Sequence, residues 1–141
     1  MVRKMSLLLM SIILCLTLTQ IGLAAEADIS QEIGEGSIVI EYWNGFTGPD
    51  GETMREIIKA FVKDNPMYQV KMQIIPWDNY YDKLLAALAA GSGPDLFVLW
   101  HNIVPQYQSM SIVRPVDDMF ERGLLPKDDF TAGPIEALTV D

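Results

Sequence analysis

Three apolar, strand-like runs, each closed by a tryptophan, constrain this chain more than any other feature: Ser37–Trp43 (SIVIEYW), Gln73–Trp77 (QIIPW) and Leu96–Trp100 (LFVLW). Polar or turn-forming residues follow each run, and then a stretch that reads as helix. Alternation of strand and helix with short loops points to an α/β fold, a parallel sheet covered on both faces by right-handed crossovers. In such sheets ligands bind in the crevice beyond the carboxyl ends of the strands. All three tryptophans are delivered to that edge, where large rings suit a ligand with an apolar face. A pyranose, with C–H bonds on one side and hydroxyls around its rim, is the obvious candidate. For one tryptophan alone, packing as core beneath a helix is the better reading; three at one edge make a binding role competitive.

The elements follow from periodicity and punctuation. Ser37–Trp43 is the first strand, rich in Ile, Val and aromatics. Asn44–Gly51 (NGFTGPDG) is a loop. Met54, Ile57, Ile58, Phe61 and Val62 then form an amphipathic stripe, and the helix ends near Asn65 because Pro66 disfavours helical geometry before it. Tyr68–Pro76 is the second strand, with Val70, Met72 and Ile74 alternating against Lys71 and Gln73. Asp78 is placed to cap a second helix whose buried stripe is Tyr81, Leu84, Leu85 and Leu88, with Gly91 as its stop. Ser92–Asp95 is a turn, and Leu96–Trp100 reads as a third strand buried in a parallel sheet. Beyond it, Val104–Met110 reads as a short helix, Val113–Phe120 as a bent connection and Thr131–Val140 as the start of another helix. Glu26–Gly36, acidic and poor in large apolar residues, reads as a flexible leader.

The N-terminus has the layout of a secretory signal peptide over residues 1–24. Arg3 and Lys4 precede the apolar run Met5–Leu18, and small residues offer cleavage near 24–27. The run is shorter than the ~20 residues of a membrane span. The only cysteine, Cys15, has Leu14 before it and apolar residues after it, unlike a lipoprotein site, so cleavage removes it. Export to the periplasm or the extracellular space follows. The mature chain has roughly 115 residues, near the common single-domain size. Loss of Arg3 and Lys4 leaves eight basic residues against nineteen acidic ones. That balance excludes nucleic acid, which needs clustered basic residues.

Catalytic signals are weak. His101 is the sole histidine, and no thiol survives in the mature chain, so a His–Cys triad and a multi-histidine metal site are excluded. No catalytic residue, metal or cofactor is assigned. Asp117/Asp118 and Asp128/Asp129 are adjacent pairs that seldom face one another across a cleft, as a glycosidase dyad must. Gly91-Ser92-Gly93-Pro94 lacks the lysine of a phosphate loop and is a turn.

The order SIVIEYWNGFTGPDG, AFVKDNP and VKMQIIPWDNYYDKLLAALAAGSGPDLFVLW, behind a signal peptide, resembles the extracellular solute-binding proteins of family 1. These are sugar receptors of bacterial ABC importers, similar to maltose-binding protein. The resemblance runs from about Ser37 to Asp118. It implies a periplasmic-binding-protein type II-like fold of two α/β lobes closing over a sugar, monomeric when full length, that hands its cargo to membrane permease subunits. Residues 37–141 would hold the first part of the N-terminal lobe, a parallel β-α-β-α-β core left incomplete, since Asp141 falls inside a helix that has just begun.

The resemblance places Trp43, Asn44, Gly45, Phe46 and Thr47 in a loop that lines the cleft. Relatives that bind maltose carry charged residues there, where this chain has Phe46 and Thr47. Trp100, His101 and Asn102 match a second cleft-lining segment; an acidic residue often stands there, and Asn102 offers both a donor and an acceptor. Trp77, Asp78 and Tyr80 form a third edge. The reading that follows is a carbohydrate receptor with no enzymatic activity; the alternative is a secreted carbohydrate-active enzyme whose catalytic part lies outside this chain.

Overall fold

A computed structural model describes residues 28–139. The signal-peptide expectation, including Cys15, lies outside the described residues. The strands are β1 (Ile29–Ile33), β2 (Ile38–Asn44), β3 (Tyr68–Ile74) and β4 (Leu96–Phe97). The helices are α1 (Pro49–Asp64), α2 (Trp77–Ala89), α3 (Val104–Ser109), α4 (Asp117–Glu121) and α5 (Ala132–Leu138), with single 3₁₀ turns at His101–Ile103 and Lys127–Asp129. The sheet order is β1-β3-β2-β4; β2 runs parallel to both β3 and β4, giving the expected parallel β-α-β-α-β core.

Burial of β2 on both faces organises the packing. Consecutive strand residues point to opposite faces, and Tyr42 and Trp43 accordingly enter two different cores. Tyr42 joins Ile58, Val70, Met72 and Ile74 beneath α1. Trp43 packs against Ile75, Tyr80, Leu84 and Tyr107 on the face covered by α2 and α3. The alternation read in β3 holds, with Val70, Met72 and Ile74 buried between half-buried Lys71 and Gln73.

Four expectations change. Residues 29–33 are not a flexible leader; they form an edge strand antiparallel to β3, with Ile29 opposite Ile74 and Ile33 opposite Val70. The edge is polar because one side of it meets solvent, and this polarity disguised it as a leader. Ile33 packs on the first core, the Arg55 Nε donates to Gln31 Oε1 at 2.6 Å, and Lys83 pairs with Asp28. Gly36 permits the tight passage from β1 to β2, since a Cβ there would lie 2.1 Å from the carbonyl carbon of Met67. Second, α1 begins at Pro49, inside the expected loop. Proline suits the first helical turn, where its missing N–H has no helical partner. Asp50 accepts the N–H groups of Gly48 and Gly51 there.

Third, Asp78 makes no capping bond; α2 starts one residue earlier, and Asp78 sits in its first turn, where a carboxylate complements the helix dipole. Fourth, the third strand is cut to Leu96–Phe97. It enters the ladder opposite Tyr42, and β2 ends at Asn44, so little partner remains beyond it. The buried stripes also rotate slightly. Ile58 is buried on α1 while Ile57 is 56% exposed, and on α2 Tyr80 rather than Tyr81 is fully enclosed.

This distribution predicts unequal costs of truncation. Met72→Ala, at a fully buried position, should cost about 2–5 kcal/mol. Ile57→Ala should shift stability by about 0.5 kcal/mol or less, as is usual at the surface. Urea unfolding midpoints of the two variants provide the check; equal losses would refute the core assignment.

Candidate functional site

The carboxyl ends of β2, β3 and β4 converge on one edge of the sheet, and the residues that follow them meet around Trp77. After β2, Asn44 is fully buried, and its Oδ1 accepts the Phe46 N–H at 3.0 Å. This local bond bends the chain, as asparagine commonly does in turns. The Thr47 N–H then reaches the Gly45 carbonyl at 3.0 Å. Gly45 is pressed onto the Trp77 indole, so closely that a Cβ would lie 2.3 Å from its Cδ2. The Phe46 ring stands edge-on to Trp77 at 6.0 Å, and Thr47 faces solvent.

After β3, Ile75 and Pro76 are buried and Trp77 opens α2. Its ring is 4.9 Å from Tyr80, 5.9 Å from Tyr81 and 6.3 Å from Trp100 between centroids. After β4 the chain leaves the ladder, and Trp100 emerges 57% exposed. His101 and Asn102 follow, both exposed, in a 3₁₀ turn closed by the Ile103 N–H bonding the Trp100 carbonyl at 3.0 Å.

The residues singled out by sequence therefore divide. Trp100, Asn102, His101, Phe46 and Thr47 stand wholly or partly open to solvent at the edge. Trp43 is half-buried in the second core with its indole nitrogen enclosed and unpartnered. Tyr80 is completely enclosed and presents nothing to solvent, contrary to its expected place at the loop edge. Its hydroxyl lies 3.0 Å from the carbonyl oxygens of both Trp43 and Val98 and accepts the Val98 N–H at 3.0 Å. Tyr80 is a tie between α2 and the ends of β2 and β4.

A shallow groove of about 310 Å³ lies beside Trp100. Tyr81, Leu85, Ile103 and Tyr107 give it an apolar floor, and Asp82, Asn102 and Gln106 supply polar groups. Of these, only Trp100 and Asn102 were singled out by sequence. Tyr81 and Leu85 looked like ordinary members of a buried helical stripe, and α3 is too short to show a period. Burial raises the pKa of Tyr81, and it raises that of Tyr107 with a further contribution from the Asp82 carboxylate. At neutral pH both are neutral phenols; Tyr81 offers the groove its ring, its hydroxyl being enclosed, beside the polar groups of Asp82, Asn102 and Gln106. Among the described residues no group of three His, Cys, Asp or Glu side chains is placed to hold a metal ion.

The Tyr80 tie generates two expectations. Tyr80→Phe leaves the Val98 N–H with only its 3.2 Å bond to the Trp43 carbonyl and removes the hydroxyl shared by the Trp43 and Val98 carbonyls, and should cost about 1–3 kcal/mol in urea unfolding. Burial pushes the Tyr80 hydroxyl far above the ordinary phenol range. A group raised in the folded state stabilises fully below its unfolded pKa of about 10, and that contribution is lost as pH rises above it. Stability should therefore fall above about pH 10, and Tyr80→Phe should flatten that decline. An unchanged alkaline limb would show that the enclosed hydroxyl does not set it.

Comparison with known proteins agrees with this geometry. The family described as bacterial extracellular solute-binding protein matches residues 46–140. A binding protein of Brucella abortus (strain 2308) is 29% identical over 100 residues, covering 71% of this chain and 23% of that protein. The maltotriose-binding protein of Pyrococcus abyssi (strain GE5 / Orsay) is 24% identical over 96 residues, covering 68% of this chain and 20% of that protein. In structure, CpMnBP1 with mannotriose bound superposes with a TM-score of 0.66 at 26% identity, over 74% of this chain and 26% of that one. The chain thus spans about a quarter of the length of the relatives it matches. With the α/β core, the aromatic edge and a family match over most of its length, this chain belongs to the bacterial extracellular solute-binding protein family.

Proposed function

We propose that the aromatic edge is one wall of a carbohydrate site, and that the protein is an exported receptor delivering an oligosaccharide to an ABC importer. The observation that carries this reading is Trp100, more than half exposed at the end of β4, beside a groove that sets phenol rings next to Asn102, Asp82 and Gln106. An exposed indole offers a flat apolar face that a pyranose covers while its rim hydroxyls meet the amides and the carboxylate. Two relatives point the same way, one named for maltotriose and one solved with mannotriose. A groove lined by several rings suits a sugar chain better than a single ring.

In this reading residues 1–24 direct export and are removed. Residues 37–141 contribute the first part of the N-terminal lobe, and residues 25–36 are its leader only as far as Asp28, since β1 joins the sheet. The partners are the importer's membrane permease subunits, met by the sugar-loaded receptor, which acts as a monomer. Trp100 supplies the stacking surface and Asn102 the first rim contact. Thr47 and Phe46 face the ligand from the loop after β2. No residue has a catalytic role.

The test is calorimetric titration of the protein with mannotriose and maltotriose. Binding is expected, with Trp100→Ala weakening it roughly tenfold, or about 1.4 kcal/mol. Asn102→Ala should weaken it less. Release of reducing ends from either sugar would overturn the receptor reading in favour of a secreted carbohydrate-active enzyme.

A further inference from the structure

We infer that Trp77 is a positioning residue rather than a ligand platform: it is a brace that locks the loop after β2 to the loop after β4. This rests on the reading of that edge as the sugar site for its importance, though not for its geometry. One side of the indole is occupied by the backbone of Gly45. A Cβ built there falls 2.3, 2.4 and 2.6 Å from Cδ2, Cε2 and Cε3 of Trp77, so the Gly45 backbone rests directly on the six-membered ring. The Phe46 ring meets the same indole at 6.0 Å with planes 70° apart. Trp100 meets it at 6.3 Å with planes 85° apart. Both candidate ligand-facing loops therefore bear on one side chain.

The brace is itself anchored. Trp77 is the first residue of α2, and Tyr80, one turn on, packs edge-on beneath it at 4.9 Å. The Tyr80 hydroxyl bonds the backbone at Trp43, next to the end of β2, and at Val98, the first residue past β4. A ring held from below by the sheet and loaded by two loops transmits displacement between them, because packed interiors yield by shifting neighbours rather than by compressing. Glycine at 45 is what allows the loop to sit so close, and any side chain there must push the indole towards Trp100 or lift the loop away.

Hydrogen exchange of the full 141-residue chain, followed amide by amide without sugar, tests this. The Thr47 N–H reports the first loop and the Ile103 N–H the second, each through a bond of 3.0 Å; Met72, fully buried in β3, reports global opening. Gly45→Ala should speed exchange at both Thr47 and Ile103 by about tenfold while Met72 stays within about twofold. In a Trp77→Leu background, where the new methyl finds room, Gly45→Ala should change Ile103 by less than about twofold, the non-additivity expected of a direct coupling. Acceleration confined to Thr47, or an equal effect in both backgrounds, would overturn the brace. So would parallel acceleration at Met72. Should Gly45→Ala not fold, Trp77→Leu alone takes the aromatic ring away from Gly45 and should release Thr47 and Ile103 together; release of only one defeats the inference. Since no ligand is added, a protein that bound neither mannotriose nor maltotriose would sink the carbohydrate reading and leave this result standing.

Discussion

One enclosed hydroxyl holds the functional edge together. The phenol of Tyr80 lies between the ends of two parallel strands, within hydrogen-bonding distance of the Trp43 carbonyl in β2 and of the Val98 carbonyl just past β4, and it accepts the Val98 N–H. Parallel strands are joined only through their ladder, and here the ladder between β2 and β4 is two residues long. Further along, the Val98 N–H has a second acceptor in the Trp43 carbonyl at 3.2 Å. Without the phenol, the last residues of β4 would leave the sheet with few directional contacts. With it, α2 is pinned to both strands, and the tryptophans that follow or precede the pinned backbone acquire fixed directions.

The same edge is where the structure tolerates poorly satisfied polar groups. Among the described residues, the buried Trp43 Nε1 has no partner, and the Asn44 Nδ2 and the Tyr81 hydroxyl have only loose ones, at the Tyr42 side chain and the Trp100 backbone. Each costs about 1–3 kcal/mol if left dry. They lie in or just after the carboxyl ends of β2 and β3, whereas the deeper core beneath α1 is built from Tyr42, Ile58, Val70, Met72 and Ile74. Departures from good packing chemistry concentrate where function demands polar groups near apolar rings.

Much of this was legible in the sequence, for reasons that can be named. β2 and β3 announce themselves because their neighbours on both sides are strands or helices, which forces apolar residues into period-two or continuous runs. β1 did not, since an edge strand needs only one good apolar contact, here Ile33. Helix stripes were found but rotated by one residue, as with Ile57 and Tyr81, because periodicity gives a face about 100° wide without saying where its centre falls. The strand-end tryptophans marked the edge where the carboxyl ends of β2, β3 and β4 meet around Trp77. Sequence could not separate Tyr80 from Tyr81, as adjacent residues on a helix differ only in which of them the sheet happens to meet. Nor could it foresee that Gly45 lies against Trp77, thirty-two positions away, since contact between segments distant in sequence has no local signature.

The division of labour among the tryptophans follows from depth along the strands. Trp43 still lies within the ladder and is committed to the second core. Trp77 stands just past its strand, where α2 begins, so its ring is half-covered and available to bear the neighbouring loops. Trp100 stands three residues past the end of β4 and has nothing above it. Each step outward along the strand exchanges burial for access. A stacking surface for a sugar must be open yet rigid, and an exposed ring is rigid only if the rings behind it are not free to move. The gradient from Trp43 through Trp77 to Trp100 places one residue type at three depths, from committed core to open surface.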